Sequence, residues 1–211
     1  MARKGSRKTR TYRREGKNLP LRDTVLIVCQ GKETEKNYFS SLKDDFGIRD
    51  LKVEVKSKDP HRIVDYALKK SCLKKSRYNR IWCVLDKDNS TDQNFNDAVT
   101  TAGNREIGVA YSNKSFELWL YLHFHYSESA QSSQEYEDKL KGLFKKHFDK
   151  TYEKNDKEIF SLLRDKMERA IRHAEKLYSK RNKDSPAKAD PSTTVHRLIK
   201  ELQKKAELSE L

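Results

Sequence analysis

Two textures of apolar residues alternate along the first half of the chain. Thr24–Cys29 (TVLIVC) and Ile81–Leu85 (IWCVL) are short unbroken runs rich in β-branched residues. That is the pattern of strands covered on both faces. The stretches between them repeat at helical spacing. Thr34 to Phe46 puts Tyr38, Phe39, Leu42 and Phe46 on one stripe, and Gly31 breaks the chain before it. Asp59-Pro60 opens a second helix, which carries Ile63, Ala67, Leu68 and Leu73 to about Ser76. Leu51–Ser57 (LKVEVKS) alternates apolar and polar, as an edge or half-buried strand does. After Leu85 come a polar loop, Asp86–Thr91, a helix from about Asp92 to Thr101, and a short strand, Ile107–Tyr111. Strand and helix alternate throughout, which predicts an α/β fold with a parallel sheet and helices on both faces. Such sheets bind ligands at the carboxyl ends of their strands. The loops after Cys29, Leu85 and Tyr111 are therefore the places to look for chemistry.

From Lys114 onward the pattern is helical. Lys114–His123 is apolar almost all round, residues 127–135 (SESAQSSQE) form a polar linker, and Asp156–Lys183 reads as one long amphipathic helix. Its stripe is Ile159, Leu163, Met167, Ala170, Ile171, Ala174 and Leu177. Ser185–Pro191 is a loop, and a last helix carries Val195, Leu198, Ile199 and Leu202. The expected organisation is a basic arm over 1–20, an α/β core over 21–128, and a helical extension over 129–211 packed on that core.

Charge changes the picture most at the N-terminus. Lys and Arg outnumber Asp and Glu by 46 to 32, a formal charge of +14. Residues 1–20 hold eight basic residues against Glu15, so half of the surplus lies in under a tenth of the length. An arm bearing Arg7, Lys8, Arg10, Arg13 and Arg14 is suited to a phosphate backbone, and a solubilising tail is the other reading. A surplus of this size favours a polyanion, nucleic acid first. No stretch approaches the ~18–20 apolar residues of a membrane span, and no secretory signal opens the chain, so a cytoplasmic protein is expected. Cys29, Cys72 and Cys83 form no CxxC pair. Cys29 and Cys83 fall in apolar runs, where Cys acts as a small buried hydrophobe.

Acidic residues gather at the predicted strand ends. Asp86-Lys87-Asp88-Asn89 follows the second buried strand, and two carboxylates two residues apart at a strand end can converge on one hard cation, although the spacing alone is a weak signal. Mg²⁺ is commonly held by one or two carboxylates plus substrate phosphate. The same pair is also an ordinary solvated turn. Glu33 and Glu35 follow the first strand, where Glu35 also suits a helix N-terminus. Glu117 sits among Phe116, Leu118, Trp119 and Leu120. A carboxylate in so apolar a helix needs a metal, a Lys or Arg, or backbone donors. Lys32, Lys36 and Lys87 lie beside these acids, to neutralise phosphate charge or to balance the carboxylates. His123 and His125 are candidates for proton transfer, with core packing the other reading of His123. His196 either orders the Pro191–Thr194 loop or approaches substrate.

Four segments then carry a resemblance. VLIVCQGKETEKNYF (Val25–Phe39), VLDKDN (Val84–Asn89), SNKSFELWLYLHF (Ser112–Phe124) and DPSTTVHRLI (Asp190–Ile199) resemble the RloB family of bacterial defence-associated proteins, in the family's order. That family is similar to the Toprim fold of topoisomerases, primases and overcoming-lysogenization-defect nucleases. The Toprim fold carries a Glu after its first strand and a DxD after a later one, and these bind Mg²⁺. The resemblance implies that Asp86 and Asp88 are the DxD pair. It implies that Glu35 belongs to a Thr-Glu pair and Glu117 to a Phe-Glu-x-Trp motif. Glu35, Asp86 and Asp88 would hold Mg²⁺ or Mn²⁺, with Glu117 bound directly or in support. The expected activity is a Toprim-type nuclease in abortive infection. RNA, tRNA included, is the substrate the resemblance implies ahead of DNA, with an AAA- or ABC-type ATPase as a partner it also implies. A homo-oligomer is compatible with this reading. Two positions depart from the pattern. Gln30-Gly31 stands where Toprim proteins have Glu-Gly. Lys114-Ser115 stands where the family has Pro-Cys, so Lys114 is a candidate phosphate contact. Gln30 also keeps open the alternative of a catalytically weak module that binds nucleic acid or a nucleotide.

Overall fold

The computed structural model describes residues 24–56, 59–72, 78–88, 90–181 and 183–209. The basic arm, with Arg7, Lys8, Arg10, Arg13 and Arg14, lies outside the described residues, as do Asn89 and the expected helix end at 73–76. Among the described residues, five strands and eight α-helices follow in the order β1 (Thr24–Cys29), α1 (Thr34–Asp45), β2 (Leu51–Val55), α2 (Pro60–Ser71), β3 (Tyr78–Asp86), α3 (Asp92–Gly103), β4 (Gly108–Asn113), α4 (Glu117–Leu122), α5 (Ser133–Phe148), α6 (Ile159–Leu163), α7 (Met167–Arg181), β5 (Ser192–Thr193) and α8 (Val195–Ser209). The expected α/β architecture is present. The sheet order is β2-β1-β3-β4-β5, parallel except for the β4–β5 pair.

Local chemistry fixes several helix starts. The Asp59 side chain accepts from the Arg62 N–H at 3.1 Å and Pro60 follows it. The Thr91 hydroxyl accepts from the Asn94 N–H at 3.2 Å. Ser132 and Glu135 form a reciprocal capping box at α5. Strand alternation then sorts the side chains between two faces. Leu26, Val28, Ile81, Cys83 and Leu85 pack on α2 and α3. Val25, Ile27, Cys29, Trp82, Val84 and Ala110 pack on the other face, in a cluster that continues through α1 and α4 to α8.

Two expectations need correction, and one strand was not anticipated. The polar linker ends earlier than 135, because Ser132 and Glu135 are the cap of α5 rather than loop. Asp156–Lys183 is not one helix. Its apolar stripe is buried as expected, but a 3-10 turn at Arg164–Lys166 separates α6 from α7. The two halves serve different partners: α6 lies on α1, and α7 lies on α4, β5 and α8. A straight helix cannot follow both surfaces. Finally, Ser192–Thr193 pairs with Ser112–Asn113 as an antiparallel edge, a strand too short to show a period.

The topology places a crevice. From β1 the chain moves outward to β2, then crosses back to β3 on β1's other side. The loop after β1 feeds α1 on one face, and the loop after β3 feeds α3 on the opposite face. Loops that part in this way open a cleft between the carboxyl ends of two neighbouring strands.

Candidate active site

That cleft, of about 460 Å³, is lined by Gln30, Glu35, Asp86, Asp88, Glu117 and Lys154 among others. Three separate elements deliver its acids: α1, the end of β3, and the start of α4.

Glu35 lies in the first turn of α1 and is 4% exposed. Its carboxylate folds back over the preceding loop and accepts from the Gly31 N–H at 3.0 Å. A Cβ on Gly31 would lie 1.7 Å from Glu35 Oε2, so this close approach requires glycine. Gln30 ties the two strand ends together. Its N–H donates to the Val84 carbonyl at 3.1 Å, and its Oε1 accepts from the Asp86 N–H at 3.1 Å. Asp86 closes β3. Its Oδ1 is buried with no hydrogen-bond partner among the described residues. Asp88, two residues on, is exposed at φ +27°, and its N–H donates to the Lys114 carbonyl at 2.8 Å. Glu117 is 5% exposed. It accepts from the Tyr152 hydroxyl at 3.2 Å and pairs with Lys154 at 3.4 Å.

Burial and crowding raise Glu35 and Asp86. Burial, then repulsion from Glu117, pushes Glu35 up to about 7 against the pull of its own and Gly31's N–H and of Lys154. Burial drives Asp86 well above the carboxylate range, and Glu35 and Glu117 add to it. Lys154 gives up solvation on entering the cleft, yet Glu117 and Glu137 hold its ammonium above the ordinary value. It lies 3.0 Å from Glu137.

The remaining sequence candidates divide. Lys32 and Glu33 are exposed on the rim of the same cleft. Lys36 is exposed and outside the lining. Lys87 turns away to Asp92 at 3.1 Å. Lys114 lines an adjoining cleft and pairs with Asp190 at 3.6 Å. His123 is fully buried between Trp119 and Tyr38, and burial pushes it down to about 4. His196 is buried beside Tyr178 and is lowered to about 4 by the same cause. Neither lines the cleft, and His125 is exposed outside it. Sequence reasoning missed Lys154 and Tyr152. The one signal for them was Glu117 itself, a buried carboxylate in need of a donor.

Among the described residues, no three His, Cys, Asp or Glu side chains form a ready-made metal cage. The donor set still fits a hard divalent cation. It is all carboxylate oxygen, one oxygen is buried without a partner, and the acids repel one another. Mg²⁺ asks for only one or two carboxylates and completes its shell with water.

A family model described as RloB-like protein matches residues 25–202. The chain belongs to the RloB-like family. The matched span takes in every acid of the cleft, together with Lys154, Tyr152 and Gln30. No curated protein and no solved structure matches the chain. Among the described residues, no helix is long and apolar enough to cross a membrane.

Proposed function

We propose that the cleft between β1 and β3 hydrolyses phosphodiester bonds in nucleic acid, with Mg²⁺ or Mn²⁺ as cofactor and RNA, tRNA included, ahead of DNA as substrate. The observation that supports this best is that Glu35, Asp86 and Glu117 line one cleft and that Asp86 Oδ1 is buried with no hydrogen-bond partner among the described residues. Like charges brought together out of water are costly unless a cation neutralises them, and they mark functional sites for that reason. Asp86 and Glu35 are the residues to hold the cation, with Asp88 at the exposed mouth. A bound metal would polarise the phosphate and lower the pKa of its water. Gln30 fixes the spacing of the two strand ends, so the acids are positioned before substrate arrives. Glu117 holds Lys154 in the cleft, where its ammonium can meet charge developing on the phosphate. The RloB likeness supports a setting in bacterial anti-phage defence, as a toxic nuclease beside an AAA- or ABC-type ATPase.

A second reading is a module that binds nucleic acid without cutting it. Two observations favour it: Gln30 stands where a carboxylate is expected, and the acids form no closed cage. One assay separates the two. Labelled tRNA, single-stranded RNA and plasmid are incubated with the protein in Mg²⁺, Mn²⁺ or EDTA. Cleavage should need metal and should fall by about two orders of magnitude or more in Asp86→Asn and Glu35→Gln. Lys154→Met should cost about tenfold or more. Undiminished cleavage by Asp86→Asn would overturn the assignment. Binding without cleavage in any metal, with the ATPase present, would leave the binding module.

A further inference from the structure

A second cleft, of about 480 Å³, adjoins the first and shares Asp88 and Ser133 with it. Its walls carry two chemistries. One wall is the first turn of the sixteen-residue helix α5. The capping box engages the N–H groups of Ser132 and Glu135. The N–H groups of Ser133 and Gln134 have no acceptor within the helix, by helix geometry. Lys114 stands at the same cleft. This wall offers donors and positive charge, as an anion requires.

The other wall offers the reverse. Gln131 is 8% exposed, and its Oε1 is buried with no hydrogen-bond partner among the described residues. Asp190 Oδ1 is likewise buried and unpartnered, while its other oxygen faces Lys114 at 3.6 Å. Both residues line the cleft. A buried acceptor left without a donor costs free energy that a ligand donor recovers. A backbone phosphodiester has no proton to donate at neutral pH, and deoxyribose has none at its 2′ carbon. A ribose 2′-hydroxyl has one.

We infer that this second cleft is the sugar–phosphate subsite beside the reacting phosphodiester. Ser133, Gln134 and Lys114 hold a phosphate there, while Gln131 Oε1 accepts the one proton of a ribose 2′-hydroxyl. The subsite thereby selects RNA. The inference rests on the hydrolytic reading of the first cleft, because Asp88 and Ser133 join the two.

The test is equilibrium binding of a short fluorescein-labelled single strand in three forms: RNA, 2′-fluoro and 2′-deoxy. Ca²⁺ replaces Mg²⁺ to hold hydrolysis back. The 2′-fluoro sugar keeps an electronegative group but cannot donate. RNA should bind about three- to tenfold tighter than either analogue. Gln131→Met keeps the length of the side chain and removes the acceptor, and it should bring that ratio towards one with no fall in melting temperature. Equal binding of RNA and 2′-fluoro RNA by the unaltered protein overturns the inference, whether or not the variant folds. So does an undiminished preference in a folded Gln131→Met protein, or no binding of RNA. A cleavage assay in Mg²⁺ run alongside keeps the two readings apart. Sugar preference without cleavage supports the subsite and removes the hydrolysis. Cleavage without sugar preference removes the subsite alone.

Discussion

Glu35 shows how a single residue trades stability for a site. Its pKa rises from 4.5 to about 7 on folding, mainly through burial. The folded chain therefore binds this proton more tightly than the unfolded chain between those two values. Stability falls as pH rises through the window, and the full deficit stands above about pH 7. Glu35→Gln removes the charge yet keeps an oxygen for the Gly31 N–H. In EDTA the variant should be more stable than the parent by roughly 1–3 kcal/mol at pH 8, with most of the gain gone at pH 5. Urea denaturation at both pH values measures it, and an equal change at each would contradict the crowding argument. The same residue shows what was legible beforehand. Glu35, Asp86, Asp88 and Glu117 were readable as acids at strand ends and in an apolar helix, because those placements follow from local pattern. Lys154 was not readable. Its pairing with Glu117 depends on a loop returning across the cleft, latched by Thr34 and Asn37 side chains to the Lys154 and Asn155 carbonyls at 3.1 and 3.0 Å. No local pattern encodes that return. Lys87 shows the converse: adjacency in sequence to Asp86 and Asp88 does not decide the direction of its side chain, and its ammonium pairs with Asp92.

At the scale of elements, the register of β3 on β4 decides how the sheet meets α8. Trp82 pairs with Gly108, and a Cβ at Gly108 would lie 2.4 Å from the indole. The ring fills the space that the glycine leaves, and its N–H donates to Glu201 Oε1 at 2.9 Å. Gly108→Ala should therefore displace the indole, break its bond to α8, and cost about 1–3 kcal/mol. Trp82→Phe in the same chain should absorb part of that cost, as a double-mutant cycle would read. Additive losses would show that the glycine serves something else. The elements themselves were mostly legible. β1 and β3 announced themselves as unbroken apolar runs, since a parallel strand buried on both faces admits few polar residues. The break between α6 and α7 was illegible because an apolar stripe records that residues are buried, not which neighbour buries them. α5 was obscured by the polar stretch that contains its own cap.

Across the whole molecule, two buried histidines oppose the acids of the cleft. His123 lies in the core between α1 and α4, and His196 opens α8; burial lowers each from 6.5 to about 4. For these groups the unfolded chain binds the proton more tightly between those values. Their contribution is intact above about pH 6.5 and is lost as pH falls towards 4. Glu35 weakens the fold over the upper part of the scale and the histidines over the lower part, so the apo protein should be most stable in between. His123→Phe isolates one side of this balance. A phenyl ring suits the Tyr38 and Trp119 rings around it, although the Trp119 carbonyl loses the Nδ1 contact at 3.0 Å. The lost contact sets an offset of about 1 kcal/mol that is independent of pH. Against that offset, the variant should gain about 2 kcal/mol relative to the parent between pH 8 and pH 5. A flat difference across that range would mean that His123 titrates alike in the folded and unfolded chains. The acid sensitivity of the core would then have to come from His196 and the start of α8.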